Sequence, residues 1–275
     1  MFNVTEILTK YLLARLREDF EATFGSKHRQ HLALISDTAK KSIAHIARSN
    51  ALYHNVEHTI HVVLVGQVIL HGKHLLEANV EPSDWLNAMI ALFCHDIGYV
   101  RGICTNDNGN ELATGIGSET VVVNSGSSDA TLMPWHVDRA QLYIDEQFSS
   151  EKLADVEQIK QSIERTRFPI PDEPAYRHTA DYPGLVRGAD LIGQLSDLRY
   201  LHKLAAIFYE FEEVGFNQKT GYRRPGDLMK GYPEFYQTAV APYTAESLTY
   251  LDQTEAGKNI VTHLQHNLEC ARERG

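Results

Sequence analysis

Apolar residues recur along this chain mostly at helical spacing. In residues 4–23, Ile7, Tyr11, Leu12, Leu16 and Phe20 fall on one stripe, which predicts an amphipathic helix packed on a core. A second helix is expected over 28–50 through Leu32, Leu34, Ile35 and Ile43, and a long third over 55–77 with Val62, Val65, Val68, Ile69 and Leu75 inward. Pro82-Ser83-Asp84 reads as a helix start with Ser83 as its cap, and the apolar run behind it extends to Asp96. Further helices are expected from Trp135 to about Phe148, over 152–167, from Pro183 to Gln194, over 197–214 and over about 245–270. Residues 214–243 read as turn-rich and aromatic, and are expected to cover the helical core rather than to stack a base.

One segment breaks the pattern. Residues 101–134 carry two turn clusters, Asn106–Asn110 and Asn124–Ser128. Between them Glu119–Val123 is the one convincing strand-like run. The expectation is a long loop or small hairpin, mobile and close to the site, either a lid or a surface insertion. With no repeat and no sharp change in composition, the whole of 1–275 reads as a single all-α domain.

The candidate chemistry lies where polar residues interrupt apolar helices. The run from Trp85 to Cys94 ends in His95-Asp96, and Gly98 then breaks the helix. A buried carboxylate beside an imidazole needs compensation, and a metal ion serves both. Upstream, His54 and His58 stand four apart, on one helix face. Downstream, Asp190 sits alone inside an apolar stretch. His58, His95, Asp96 and Asp190 together make a plausible four-ligand site built from three helices. His136, next after the insertion, is a candidate second-site ligand or substrate contact. Arg139 could touch substrate, or form a surface salt bridge with its neighbours. Arg165 and Arg167 could hold a phosphate through paired donors, with ion pairing to Glu164 as the competing role.

Composition narrows the field further. The net charge of −10 argues against a nucleic-acid-binding surface, but a local metal could still draw an anionic substrate. Three unpaired cysteines suit a reducing cytoplasm. No run is expected to span a membrane: Lys10, Arg15, Arg17, Glu18 and Asp19 interrupt the first apolar stretch.

The order His…His-Asp…Asp resembles the HD superfamily of metal-dependent phosphohydrolases. Tyr53-His54-Asn55-x-x-His58, with Val62 after it, is similar to the string that opens the catalytic site of cyclic-nucleotide phosphodiesterases. The phrases around His58, His95, Arg165 and Asp190 are similar to those of a group of uncharacterised bacterial HD proteins. The resemblance covers roughly 51–195. It implies an all-helical bundle and one or two divalent ions (Zn, Mn, Mg, Fe or Ni) on His58, His95, Asp96 and Asp190. Asp96 would bridge a second ion, and His54 would be the proton donor to the leaving oxygen. Two positions depart from the phosphodiesterase pattern: Tyr99 stands where His-Asp-x-x-His has its last histidine, and Arg167 where an aspartate follows Thr166. The expected function is hydrolysis of a small phosphate ester, first a phosphodiester or nucleotide. A non-catalytic nucleotide-binding scaffold and a di-iron oxygenase are the alternatives.

Overall fold

The computed structural model describes residues 3–274. Among them are twelve α-helices and one two-stranded sheet, an all-α fold with a small hairpin. The helices are α1 (Val4–Phe24), α2 (Arg29–Ile46), α3 (Val56–Glu77), α4 (Pro82–Cys94), α5 (His136–Phe148), α6 (Val156–Glu164), α7 (Tyr182–Ser196), α8 (Tyr200–Glu213), α9 (Phe216–Thr220), α10 (Pro225–Phe235), α11 (Ala245–Leu251) and α12 (Glu255–Arg274).

Helix α3 is the hub, packed on by α1, α4, α7 and α11. Neighbours on several sides explain why it is apolar around most of its circumference. Its length and hydropathy would suffice to cross a membrane, yet most of that stretch is buried inside the protein. The approach of α7 is close: a Cβ on Gly193 would lie 2.8 Å from Val62 Cα. This contact holds Asp190, one turn earlier on α7, beside His58 on α3. One apolar cluster joins α1 to α7, and a second joins α7, α8, α10 and α12.

Several boundaries differ from the sequence expectation. Helix α4 starts with Glu81 as its N-cap, whose backbone N–H donates to Asp84 Oδ2 at 3.1 Å, while Ser83 sits in the first turn. It ends at Cys94, and a 3-10 turn at Ile97–Tyr99 follows. That turn needs Gly98, because a Cβ there would overlap the His136 carbonyl. The aromatic stretch is not merely turns but holds α9 and α10. The expected last helix is two, separated at 252–254.

The insertion forms a hairpin, Glu111–Ala113 against Thr120–Val122, antiparallel with Leu112 opposite Val121. Leu112, Val123 and Leu132 give it a small core of its own. It is tied down rather than loose. Arg101 pairs with Asp129 at 2.7 Å, and Ser128 N–H donates to Glu213 on α8. Asp107 accepts two bonds from the Arg139 guanidinium at 3.0 and 2.9 Å. Arg139 also donates to the carbonyls of Gly98, Val100 and Ala113. Both members of this pair are essentially unexposed, so Arg139→Met leaves a buried carboxylate unmatched. The expected cost is about 3–5 kcal/mol, read by urea unfolding; a change under 1 kcal/mol would refute the anchoring role.

Candidate metal centre

Four side chains from three segments converge at the α3–α7 contact. His58 comes from the first turn of α3, where Asn55 caps the helix by accepting from Glu57 and His58 N–H. His95 and Asp96 leave the end of α4, and Asp190 lies mid-way along α7. His58 Nε2 is 3.2 Å from Asp96 Oδ2 and 3.5 Å from Asp190 Oδ1. His95 Nε2 makes the same pair of distances, 3.2 and 3.5 Å. Donors about 2.1 Å from one ion stand roughly 3.0–3.5 Å from their neighbours in tetrahedral or octahedral geometry. His58, His95 and Asp190 offer ligand atoms all within 4.8 Å of one another, and Asp96 Oδ2 lies 3.2 Å from both imidazole nitrogens.

Hydrogen bonding points the same way. His95 Nδ1–H donates to the Leu92 carbonyl at 2.8 Å, which leaves Nε2 as a lone-pair donor aimed inward. Although close, His95 Nε2 and Asp96 Oδ2 are poorly aimed at each other, and neither has a hydrogen-bond partner. Both are buried, and buried polar groups normally find partners. A divalent ion fits this donor set: two imidazole nitrogens and two carboxylates. Burial works against charge on His95, but Asp96 and Asp190 outweigh it and raise its affinity for a proton well above the ordinary value. Burial likewise opposes ionisation of Asp96 and Asp190, but the adjacent histidines hold both carboxyls far below the usual range. The centre thus favours positive charge between its donors.

Beside it, His54 is held by a residue the sequence reading did not single out. Glu210 on α8 accepts His54 Nδ1–H at 2.5 Å through Oε2. Its Oε1 accepts the backbone N–H of Tyr53 and His54 at 2.6 and 3.2 Å. Burial alone would lower the His54 pKa, but the carboxylates of Glu210, Asp96 and Asp190 raise it to about 9. With Nδ1 committed, Nε2–H is the proton left to offer. Tyr99 stacks on the His54 ring at 4.6 Å and on His136 at 4.6 Å from its other face. His136 is buried, with Nδ1–H on the Met133 carbonyl at 2.6 Å.

These groups open into a cavity of about 200 Å³. Its lining combines the polar His54, Asp96, Tyr99, His136 and Asp190 with the apolar Ile207 and Phe211 of α8, Phe216 of α9, and Tyr232 and Phe235 of α10. The aromatic segment therefore both packs the second core cluster and walls the site.

A family model described as Npun_R2479-like matches residues 2–273, nearly the full sequence. The chain belongs to the Npun_R2479-like family. No curated protein matches it.

In this Npun_R2479-like chain the proposed substrate residues separate. His136 and Arg165 line the cavity. Arg167 lines it too, but its donors are taken by Asp138 at 2.8 and 3.1 Å and by Glu164 at 2.6 and 2.8 Å. Arg139 does not reach the cavity, because its guanidinium is consumed in anchoring the insertion. Of the 101–134 insertion, Met133 lines the cavity, whereas the hairpin and its turns do not. A second acidic group, Glu57, His61 and Asp197, already has a cation: Lys203 Nζ is 3.1 Å from Glu57 and 2.5 Å from Asp197.

Proposed function

We propose that this protein is a metal-dependent phosphohydrolase of the HD kind, acting on a small phosphate ester. The observation that carries the reading is the 3.2 and 3.5 Å spacing of two buried imidazole nitrogens from the Asp96 and Asp190 carboxylates, with His95 Nε2 and Asp96 Oδ2 lacking any other partner. His58, His95, Asp96 and Asp190 would hold the ion. When bound, a divalent ion supplies Lewis-acid polarisation of the phosphoryl group and a nucleophile at neutral pH.

The chain's own residues account for the rest. His54 Nε2–H protonates the leaving oxygen, and Glu210 keeps the ring charged and oriented. The aromatic part of the cavity lining receives the organic arm of the ester, which suits the base of a nucleotide or another flat, uncharged group. A single ion is the form this geometry favours. Tyr99 is wedged between two imidazoles, and burial together with Asp96, Glu210 and Asp190 pushes its phenol well above the ordinary tyrosine pKa. It offers no anionic oxygen to a second ion.

The test is elemental analysis of the wild type, His95→Ala and Asp190→Ala, followed by a panel of phosphomonoesters and phosphodiesters. We expect about one equivalent of divalent metal in the wild type and most of it lost in both variants. Full metal content in both variants would sink the metal centre. Two redox-active irons, with no hydrolysis of any ester, would turn the reading to oxidation.

A further inference from the structure

Three arginines of this protein are buried or held at the cavity by ion pairs, and a fourth has no carboxylate at all. Arg139 has Asp107, Arg167 has Asp138 and Glu164, and Arg165 has Asp181 at 3.2 Å. Arg187 is 1% exposed. Its Nη1 donates to the Tyr176 carbonyl at 2.7 Å and its Nη2 to the His178 carbonyl at 3.1 Å. The guanidinium lies over the Tyr243 ring, 4.3 Å from its centre. Nε has no partner, and among the described residues no Asp or Glu pairs with it. Two neutral carbonyls and a ring face leave donors of the five-donor fork unused and a full charge uncompensated. A buried charge without a counter-charge is strongly disfavoured.

Position suggests what balances it. Arg187 stands on α7 one turn before Asp190 and lines the same cavity. Arg165 lines that cavity too, and shares the His178 carbonyl with Arg187 through an Nη1 bond of 2.8 Å. Two guanidinium groups thus share one carbonyl beside a cavity that Asp96 and Asp190 also line. Burial and the nearby Arg165 lower the Arg187 pKa to about 10, so the charge persists at neutral pH.

We propose that Arg187, seconded by Arg165, is the oxyanion-binding residue of this cavity, and that it takes the non-bridging oxygens of the phosphoryl group. The anion class follows from the unpaired guanidinium alone; its being the substrate's phosphoryl group rests on the phosphohydrolase reading. Guanidinium is suited to this role because its planar fork matches two phosphate oxygens at once, which an ammonium cannot do. Arg187 also holds the 174–178 connector through its two carbonyl bonds, so an anion there would be coupled to the order of that segment.

Inorganic phosphate is the probe. Its binding to metal-loaded protein is measured by calorimetry for the wild type, Arg187→Lys and Arg187→Met, with metal content and melting temperature recorded for each. A charge-assisted hydrogen-bonded contact contributes on the order of a 10- to 100-fold change in affinity. Arg187→Lys is expected to weaken phosphate binding about tenfold, and Arg187→Met more, with metal content unchanged. A merely structural arginine would lower the melting temperature while leaving the affinity of the folded fraction intact. If Arg187→Met fails to fold, Arg187→Lys, which keeps the charge and the stem, carries the comparison. Equal phosphate affinity in the wild type and every folded variant overturns the proposal, as does absence of phosphate binding by the metal-loaded wild type. Arg187-dependent phosphate binding with no ester hydrolysis supports the anion site and defeats only the phosphohydrolase reading.

Discussion

Chelation of the metal, or replacement of His95 by alanine, is expected to take turnover to the assay background and to lower the melting temperature by roughly 10 °C. The stability estimate comes from mass action. An ion present at about a thousand times its dissociation constant adds about 4 kcal/mol, and each kcal/mol is worth roughly 2–4 °C in a chain of this size. The effect should depend on pH with a definite sign. In the metal-free protein the folded His95 pKa lies above its ordinary 6.5, so its contribution is complete below about 6.5 and is lost as pH rises through the elevated folded value. Asp96 and Asp190 are held below their ordinary 3.8, so theirs is present above about 3.8 and lost as pH falls. Metal-free protein should therefore be most stable between about pH 4 and 6.5. Metal competes with protons for the same donors, so the stabilisation it adds should grow from pH 6 to pH 8. Melting curves with and without chelator across that range measure it. A chelator effect that is flat with pH, or largest at pH 5, would contradict this centre.

The donors of the centre were readable because each breaks a local rule. His58 lies four residues from His54, which the spacing places on the same helix face but which stands just before the α3 cap Asn55; His95-Asp96 end an apolar helix, and Asp190 is a carboxylate in an apolar stretch. The same reasoning, applied evenly, reaches residues that were passed over. Glu210 is three positions beyond Ile207 and so falls on the buried face of α8, yet it sits among Glu212 and Glu213 and reads as part of an exposed acidic run. Arg187 lies in the same apolar stretch as Asp190, but a long side chain that can snorkel draws less notice than a short carboxylate. Arg139 belongs to the buried face of α5 with His136, Ala140 and Tyr143. Its partner Asp107 lies in a turn 32 residues away, a pairing no local pattern encodes. Other misses are of a different kind. The α10 helix was hidden by Pro225, Gly226 and Pro233, although Pro225 at its first position is a helix-start signal. The start at Glu81 is fixed by its own N–H donating to the Asp84 carboxylate three residues on, whereas residue-type preference points to Ser83. The aromatics of 214–243 carried no periodicity that told wall from packing, and in the structure they do both.

The second large effect separates His54 from its neighbour His58. His54 precedes Asn55, the cap of α3, and His58 lies in the helix's first turn, with ring centres 5.5 Å apart, but they face different demands. A ligand histidine must present a bare nitrogen, whereas an acid histidine must keep its proton until the leaving group departs. His54→Ala is expected to retain its metal and to lose about 100- to 10,000-fold in rate, the usual range for general acid catalysis. The loss should shrink for nitrophenyl esters, whose leaving groups need little protonation. His58→Ala should lose metal and act poorly on every ester. Glu210 supplies the finer test. A cation on Asp96 and Asp190 would cancel their pull on His54 and leave Glu210 as the group that keeps the ring protonated. In the pH–rate profile the basic limb marks loss of the acid's proton, so Glu210→Gln should move that limb to lower pH while metal content stays constant. The shift should be visible with alkyl esters and faint with nitrophenyl esters, because only the former depend on the proton. A Glu210→Gln limb that stays in place, or a His54→Ala variant that empties the metal centre or slows activated and unactivated esters alike, would strip His54 of the proton-donor role.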